Sequence, residues 1–192
     1  MPARNQAALD FLLSRKSYPA KMLAAPYPDR EEIIEMLTAA ARTPDHGKLE
    51  PWRFIVLNGA ALDRLADGME KRGPEMGEDS EKVAKSVATY RGAGCAVVGV
   101  SSPVALDKIP TSEQILSAGG ACLALVNAAT AGGWGASWVT GWFCYDRTFI
   151  EENLGLEPHE AVAGIVHLGT MKNEAPDRPR PDLSKKVTWV EA

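Results

Sequence analysis

Apolar positions along this chain repeat with two periods. Leu9, Leu12 and Leu13 fall near helical spacing within Gln6 to Ser14, and Ile33, Ile34, Leu37 and the Ala40/Ala41 pair do so again, which predicts two amphipathic helices. Asp29 with Glu32 three residues later has the pattern of a capping box and starts the second helix, which is expected to run to Arg42. Arg53 to Leu57 is a compact run of strand type. Asn58-Gly59 then turns the chain into a helix from Ala60 to Lys71, carrying Leu62, Leu65 and Met69, that Gly73-Pro74 is expected to break. Glu75 to Arg91 reads as a solvated loop followed by one charged helix. Cys95 to Val100 and Ala161 to Leu168 read as buried strands, and Ala136 to Thr140 as a short one. Asp146 is placed to cap a helix through Leu154, closed by Gly155.

Between Gln114 and Tyr145 there is no Asp, Glu, Lys, Arg or His. The helical part, Ser112 to Ala131, is built from Ala, Gly, Ser and Asn with few large apolar groups and no flanking Lys or Arg, which argues for a core helix over a membrane span. A helix weakly apolar all round is expected to be buried on all sides. Ser117, Ala118, Ala121, Ala124 and Ala128 make a stripe of small side chains that lets another helix or a flat ligand approach. One chain of 192 residues has difficulty enclosing such a helix, so a subunit partner is expected to supply cover. The stretch from Met171 to Ser184 is rich in proline and charge, after which Val187-Thr188-Trp189-Val190 returns to strand character and is expected to dock on something.

Length and composition suit one globular domain: 45% hydrophobic, 24% charged, formal charge −4. The acidic balance and the absence of a dense Lys/Arg stripe argue against a nucleic-acid surface. Cys95, Cys122 and Cys144 are odd in number, far apart and set in apolar runs, so they read as reduced core thiols. No histidine stands with Cys or carboxylates at zinc-ligand spacing, and His167, in an apolar strand, reads as a satisfied or rim histidine. The N-terminus lacks the form of a secretory signal, and a cytoplasmic location is the expectation.

Two stretches concentrate chemistry. Arg15-Lys16-Ser17 follows directly on the first helix; its cations either offset the helix C-terminal dipole or converge with the hydroxyl on a phosphate. Arg42 to Trp52 reads Arg-Thr-Pro-Asp-His-Gly-Lys-Leu-Glu-Pro-Trp, joining a helix to a strand through two prolines that neither element can cross. Its guanidinium, imidazole, ammonium and indole suit an anionic, aromatic ligand, although a helix cap followed by a turn explains the same residues. Gly92-Ala-Gly-Cys-Ala-Val-Val-Gly-Val is not a dinucleotide fingerprint, because its glycines precede a strand instead of opening a helix.

Arg15-Lys16-Ser17, the Arg42-x-Pro-Asp-His46 turn leading to Pro51-Trp52, the small-residue helix, and Gly-Gly-Trp-Gly before Trp138-Val-Thr-Gly together resemble the flavin-dependent nitroreductase family, and most of all its compact YdjA-like members. The resemblance spans nearly the whole chain in order. It implies an α+β fold, a mixed, mostly antiparallel sheet flanked by helices, in an intertwined homodimer with FMN at the interface and NADH or NADPH as electron donor. It implies that Arg15, Lys16 and Ser17 contact the ribityl-phosphate and pyrimidine edge of the flavin. Arg42 and His46 would reach it from the turn, of the same or the opposite subunit, and Trp138, Val139 and Thr140 would lie along the isoalloxazine and phosphate side. Arg178 and Arg180 are a weaker extension of the phosphate contacts. Lys16 stands where a second arginine is usual, which keeps the charge but loses the planar fork. The flavin carries the chemistry, so no catalytic side chain is assigned. The implied activity is hydride transfer to a nitroaromatic, a quinone or a similar small acceptor. The alternatives are reduction of unsaturated or halogenated compounds on the same scaffold, flavin binding without turnover, and a purely structural helical dimer.

Overall fold

The sheet is organised around its last strand. In the computed structural model, which describes residues 3–191, β5 (Ala161–Met171) pairs antiparallel with β3 (Cys95–Ser101) and β4 (Gly135–Val139). Its far end takes the two-residue β1 (Leu23–Ala24), while β3 pairs on its other side with β2 (Trp52–Asn58). Every pairing among the described residues is antiparallel, and helices cover both faces, in agreement with the α+β class expected.

Alternation along the strands builds two cores. Ala96, Val98, Val100 and Ile165 face one layer with Leu62, Leu65 and Met69 of α3 (Gly59–Glu75), Val83 and Tyr90 of α4 (Ser80–Arg91), and Phe149 of α6 (Arg147–Leu154). Cys95, Val97, Val166 and Leu168 face the other, where Ile33, Met36 and Ala40 of α2 (Arg30–Ala40) meet Leu125, Val126 and Ala129 of α5 (Thr111–Ala131). The first helix, α1 (Gln6–Ser14), buries no residue within the chain.

Capping sets several of these boundaries. Asp29 accepts from the Glu31 and Glu32 amides at 2.9 Å each while the Glu32 carboxylate accepts from the Asp29 amide at 2.9 Å, completing the box. Asp146 caps α6 through the Phe149 amide at 2.8 Å, and Gly155, at φ 63°, closes it. Asp146 also receives a two-pronged ion pair from Arg72 of α3, which holds its carboxyl below the usual range.

Three expectations are corrected. Helix α3 does not break at Gly73-Pro74 but runs through them to Glu75. Gly73 instead lets α4 dock, since a Cβ there would lie 2.4 Å from a Val83 methyl, and Pro74, one residue before the helix ends, removes a single helix hydrogen bond without stopping the helix short. Helix α5 is not buried all round, since Ile115, Leu116 and Leu123 are 52%, 75% and 46% exposed. It is long and apolar enough to cross a membrane, with mean hydropathy 1.3, yet it packs on α2, β3, β4 and β5 through its small residues. His167 is neither satisfied nor at a rim; it points inward from the central strand, 1% exposed, with no hydrogen-bond partner on either ring nitrogen. Its ring meets Tyr90 edge-on at 4.8 Å, and burial pushes its pKa down to about 4. Val187–Val190, expected to dock on something, pairs with no strand of its own chain among the described residues: one 3₁₀ turn (Leu183–Lys185) precedes it, and Trp189 and Val190 are almost fully exposed. The three cysteines are free and buried, and burial raises each thiol to about 11.

Candidate functional site

Helix α1 ends as Arg15 leaves helical geometry, and the chain runs out extended until the Tyr18 amide donates to the Ala136 carbonyl of β4 at 2.9 Å. This ties the Arg15-Lys16-Ser17 segment to the strand that carries Trp138. The segment and the chain after β5 enclose a cleft of about 360 Å³ lined by Arg15, Lys16, Ser17, Asp177, Arg178 and Arg180. The cleft therefore collects four cations and a hydroxyl from two ends of the sequence.

Arg15 Nη1 is buried in the wall of this cleft and has no hydrogen-bond partner among the described residues. A buried, unpaired guanidinium donor is costly, and an anion in the cleft relieves that cost. Lys16 is engaged: its Nζ donates to Glu174 Oε1 at 2.9 Å and to the Ala175 carbonyl at 3.2 Å. The hydrogen bond with Glu174 raises the Lys16 pKa, and the same bond lowers that of Glu174. Arg180 reaches the Arg15 carbonyl at 3.4 Å and pairs with Asp177, while Ser17 and Arg178 are exposed.

The Arg42-to-Trp52 turn is an ordered structure. Asp45 accepts from the Leu49 amide at 2.8 Å and from the Glu50 amide at 3.3 Å, around left-handed Gly47, Lys48 and Glu50 at φ 78°, 56° and 48°. Helix α5 grips it at two points one helical turn apart. Glu113 Oε2 lies 2.8 Å from His46 Nδ1, and Ser117 Oγ donates to the Pro44 carbonyl at 2.9 Å while accepting from Trp52 Nε1 at 3.2 Å. Sequence reasoning missed Glu113 and placed Ser117 only in the stripe of small side chains, though their spacing of four on one helix face was a readable signal. Glu174, the partner of Lys16, gave none. Arg42 itself is exposed.

Trp138 lies against the middle of β5, where its Nε1 donates to the Ala163 carbonyl at 3.3 Å and where a Cβ on Gly164 would come within 1.7 Å of that nitrogen. Only glycine at 164 permits this approach. On α5, Gly119 faces the Trp138 ring and Gly120 faces Thr43 of the turn, with an added Cβ 3.8 and 2.9 Å away respectively. The helix thus backs both Trp138 and the turn. Thr140 accepts from the Tyr145 hydroxyl at 3.2 Å, and Val139 is half-buried. Arg15, Lys16 and Ser17 meet Arg178 and Arg180 in one cleft; Arg42, His46, Trp138, Val139 and Thr140 do not line it.

Comparison with known proteins bears on the family and the fold. The model of the nitroreductase family matches residues 12–170. YdjA of Escherichia coli strain K12, named as a candidate NAD(P)H nitroreductase, is 31% identical over 183 residues, covering 95% of this chain and 98% of its own. A Haemophilus influenzae protein named in the same way is 35% identical over 186 residues, covering 95% and 99%. Among solved structures, a nitroreductase-type protein from Desulfovibrio desulfuricans in complex with FMN superposes with a TM-score of 0.75 over 98% of this chain and 99% of its own, at 18% identity. With a family model matching most of its length and relatives above 30% identity from end to end, the chain belongs to the nitroreductase family.

Proposed function

We propose that the protein is an FMN-dependent oxidoreductase that takes hydride from NADH or NADPH and passes it to a small electron-poor acceptor such as a nitroaromatic or a quinone. The observation that carries this reading is the buried, unpaired Arg15 Nη1 in a cleft with Lys16, Ser17, Arg178 and Arg180. That donor set fits a phosphomonoester: one preorganised guanidinium nitrogen, an exposed hydroxyl and two exposed guanidinium groups that gain a charge-assisted partner on binding. The family and the FMN-bound Desulfovibrio protein supply the chemical identity of the anion.

When bound, FMN accepts a hydride from the nicotinamide and gives it to the acceptor. The chain's own part is to bind and orient. Arg15, Lys16 and Ser17 hold the phosphate end, with Arg178 and Arg180 closing over it. Trp138, Val139 and Thr140 border the ring on the β4 side. Arg42 and His46, on the turn that α5 holds, reach the flavin from a second copy of the chain, with FMN between the two subunits. His46 has a positioning role, set by Glu113. On this reading residues 1–192 are one FMN-binding domain, with residues 171–192 docking on the partner subunit.

The test begins with purified protein titrated with FMN and followed by flavin fluorescence, then mixed anaerobically with NADH or NADPH. Binding followed by bleaching of the yellow form, and reoxidation by nitroaromatics or quinones, is the expected result. A folded protein that binds no FMN overturns the proposal, and one that binds FMN without bleaching is a flavin carrier.

A further inference from the structure

The chain beyond β5 lies over the cationic cleft as a strap. The Lys172 amide donates to the Met22 carbonyl at 3.1 Å, Ala175 is 2% exposed, and between them Glu174 turns its carboxylate onto Lys16. The strap therefore brings two kinds of charge to one place. Arg178 and Arg180 add cations to the cleft, whereas Glu174 and Asp177 each occupy a cation already there.

Glu174 differs from an ordinary surface acid in where it lies. Its side chain is 82% exposed, so the ion pair is weak and easily exchanged, whereas the Lys16 ammonium it caps is only 24% exposed. Arg15 Nη1, in the same wall, has no hydrogen-bond partner among the described residues. A single carboxylate thus satisfies Lys16 and leaves the neighbouring guanidinium unmet; a dianion entering the cleft can satisfy both.

We propose that Glu174 is an internal stand-in for the cofactor phosphate, holding the strap on Lys16 and leaving it when the phosphate enters. This rests on the reading of the cleft as the FMN phosphate site. Entry of the anion breaks the Lys16–Glu174 pair and forms Lys16–phosphate and Arg15–phosphate contacts, freeing the strap to bring Arg178 over the ligand. Glu174 thereby slows loading of the phosphorylated flavin, whereas a flavin that lacks a phosphate leaves the Lys16–Glu174 pair in place.

The experiment compares wild type, Glu174→Gln and Glu174→Asp, with FMN and riboflavin as probes, by fluorescence titration and stopped-flow mixing. The glutamine variant should bind FMN about two- to five-fold more tightly, the size of an exposed ion pair, with the gain in the association rate and dissociation unchanged. The aspartate variant keeps the charge but is one methylene too short for the contact, and should show a similar gain. Riboflavin affinity should stay unchanged in both, widening the preference for the phosphorylated flavin. A gain in the glutamine variant alone would make Glu174 a remote field effect, and weaker FMN binding with faster dissociation would make it a structural strut; either overturns the proposal. Wild type that binds FMN while the variants match it also overturns the proposal and leaves the cofactor reading intact. Wild type that binds no FMN removes the cofactor reading and the proposal together.

Discussion

Arg15 and His167 are both buried polar groups without partners, and they have opposite consequences. Arg15 is cationic and borders a cleft, so its missing partner comes from outside the chain. Arg15→Ala is expected to weaken FMN binding by about 1.5–3 kcal/mol, the worth of a charge-assisted hydrogen bond, measured by fluorescence titration. Unchanged affinity in a folded variant would return Arg15 to the simple role of offsetting the α1 dipole. His167 sits among aromatic rings and stays neutral because burial holds its pKa near 4, against 6.5 when exposed. As pH falls below 6.5 the unfolded chain takes up a proton that the folded chain refuses until about pH 4. Stability is therefore full above pH 6.5 and falls by roughly 3 kcal/mol as pH drops from 6.5 toward 4. Glu160, held down to about 2 by its hydrogen bond with Arg53, loses its contribution only below the ordinary carboxylate pKa of 4.5, so the upper part of this window belongs to His167. His167→Phe should flatten urea-unfolding stability between pH 6.5 and 4.5. A variant with the same acid slope as wild type would assign that slope to other groups.

Helices with local signals were legible in the sequence, and contacts between distant segments were not. Asp29 with Glu32, and Asp146 with Gly155, set their helices by bonds within a few residues, so their residue types suffice to place α2 and α6. Gly73-Pro74 misled because that glycine serves Val83, ten positions on, instead of ending its own helix. Strand β1 is two residues held by β5, some 145 positions away, and nothing local announces it. The candidate site divides in the same way. Arg15-Lys16-Ser17 was readable as a cluster of anion-binding types, but its coupling to Glu174, Arg178 and Arg180 needs the fold. Gly164 was unremarkable in an apolar strand, yet it is what lets Trp138 lie flat on β5. Gly164→Ala places a methyl 1.7 Å from the Trp138 nitrogen, so the indole must move. The expected result is a loss of about 1–3 kcal/mol in chemical denaturation, as for other overpacked sites, with a shift in tryptophan emission and weaker FMN binding. Retained stability and emission would mean that β5 yields at this point and that Trp138 is not set by it.

The surface left by one chain is incomplete in a consistent way. Ile115, Leu116 and Leu123 line the outer side of α5, Leu12 and Leu13 stand out from an α1 that buries nothing, and Trp189 and Val190 project from the end of the chain. A monomer has no reason to expose so many large apolar groups on three separate elements. A second copy that covers α5, takes the tail and lends Arg42 and His46 to the flavin accounts for all of them with one interface. The tail then has a definite role: Val187 to Val190 has strand-forming residues but no strand to pair with in its own chain, so a partner's sheet edge or groove is where it gains order. If FMN lies between the subunits, cofactor and dimer stabilise each other by mass action. Deleting residues 185–192 is therefore expected to raise the dimer dissociation constant and lower FMN occupancy together, with excess FMN partly restoring the dimer. Light scattering across a dilution series, with and without added FMN, measures both effects. A full-length chain that scatters as a monomer while fully loaded with flavin would place the whole site in one subunit and leave the tail without this role.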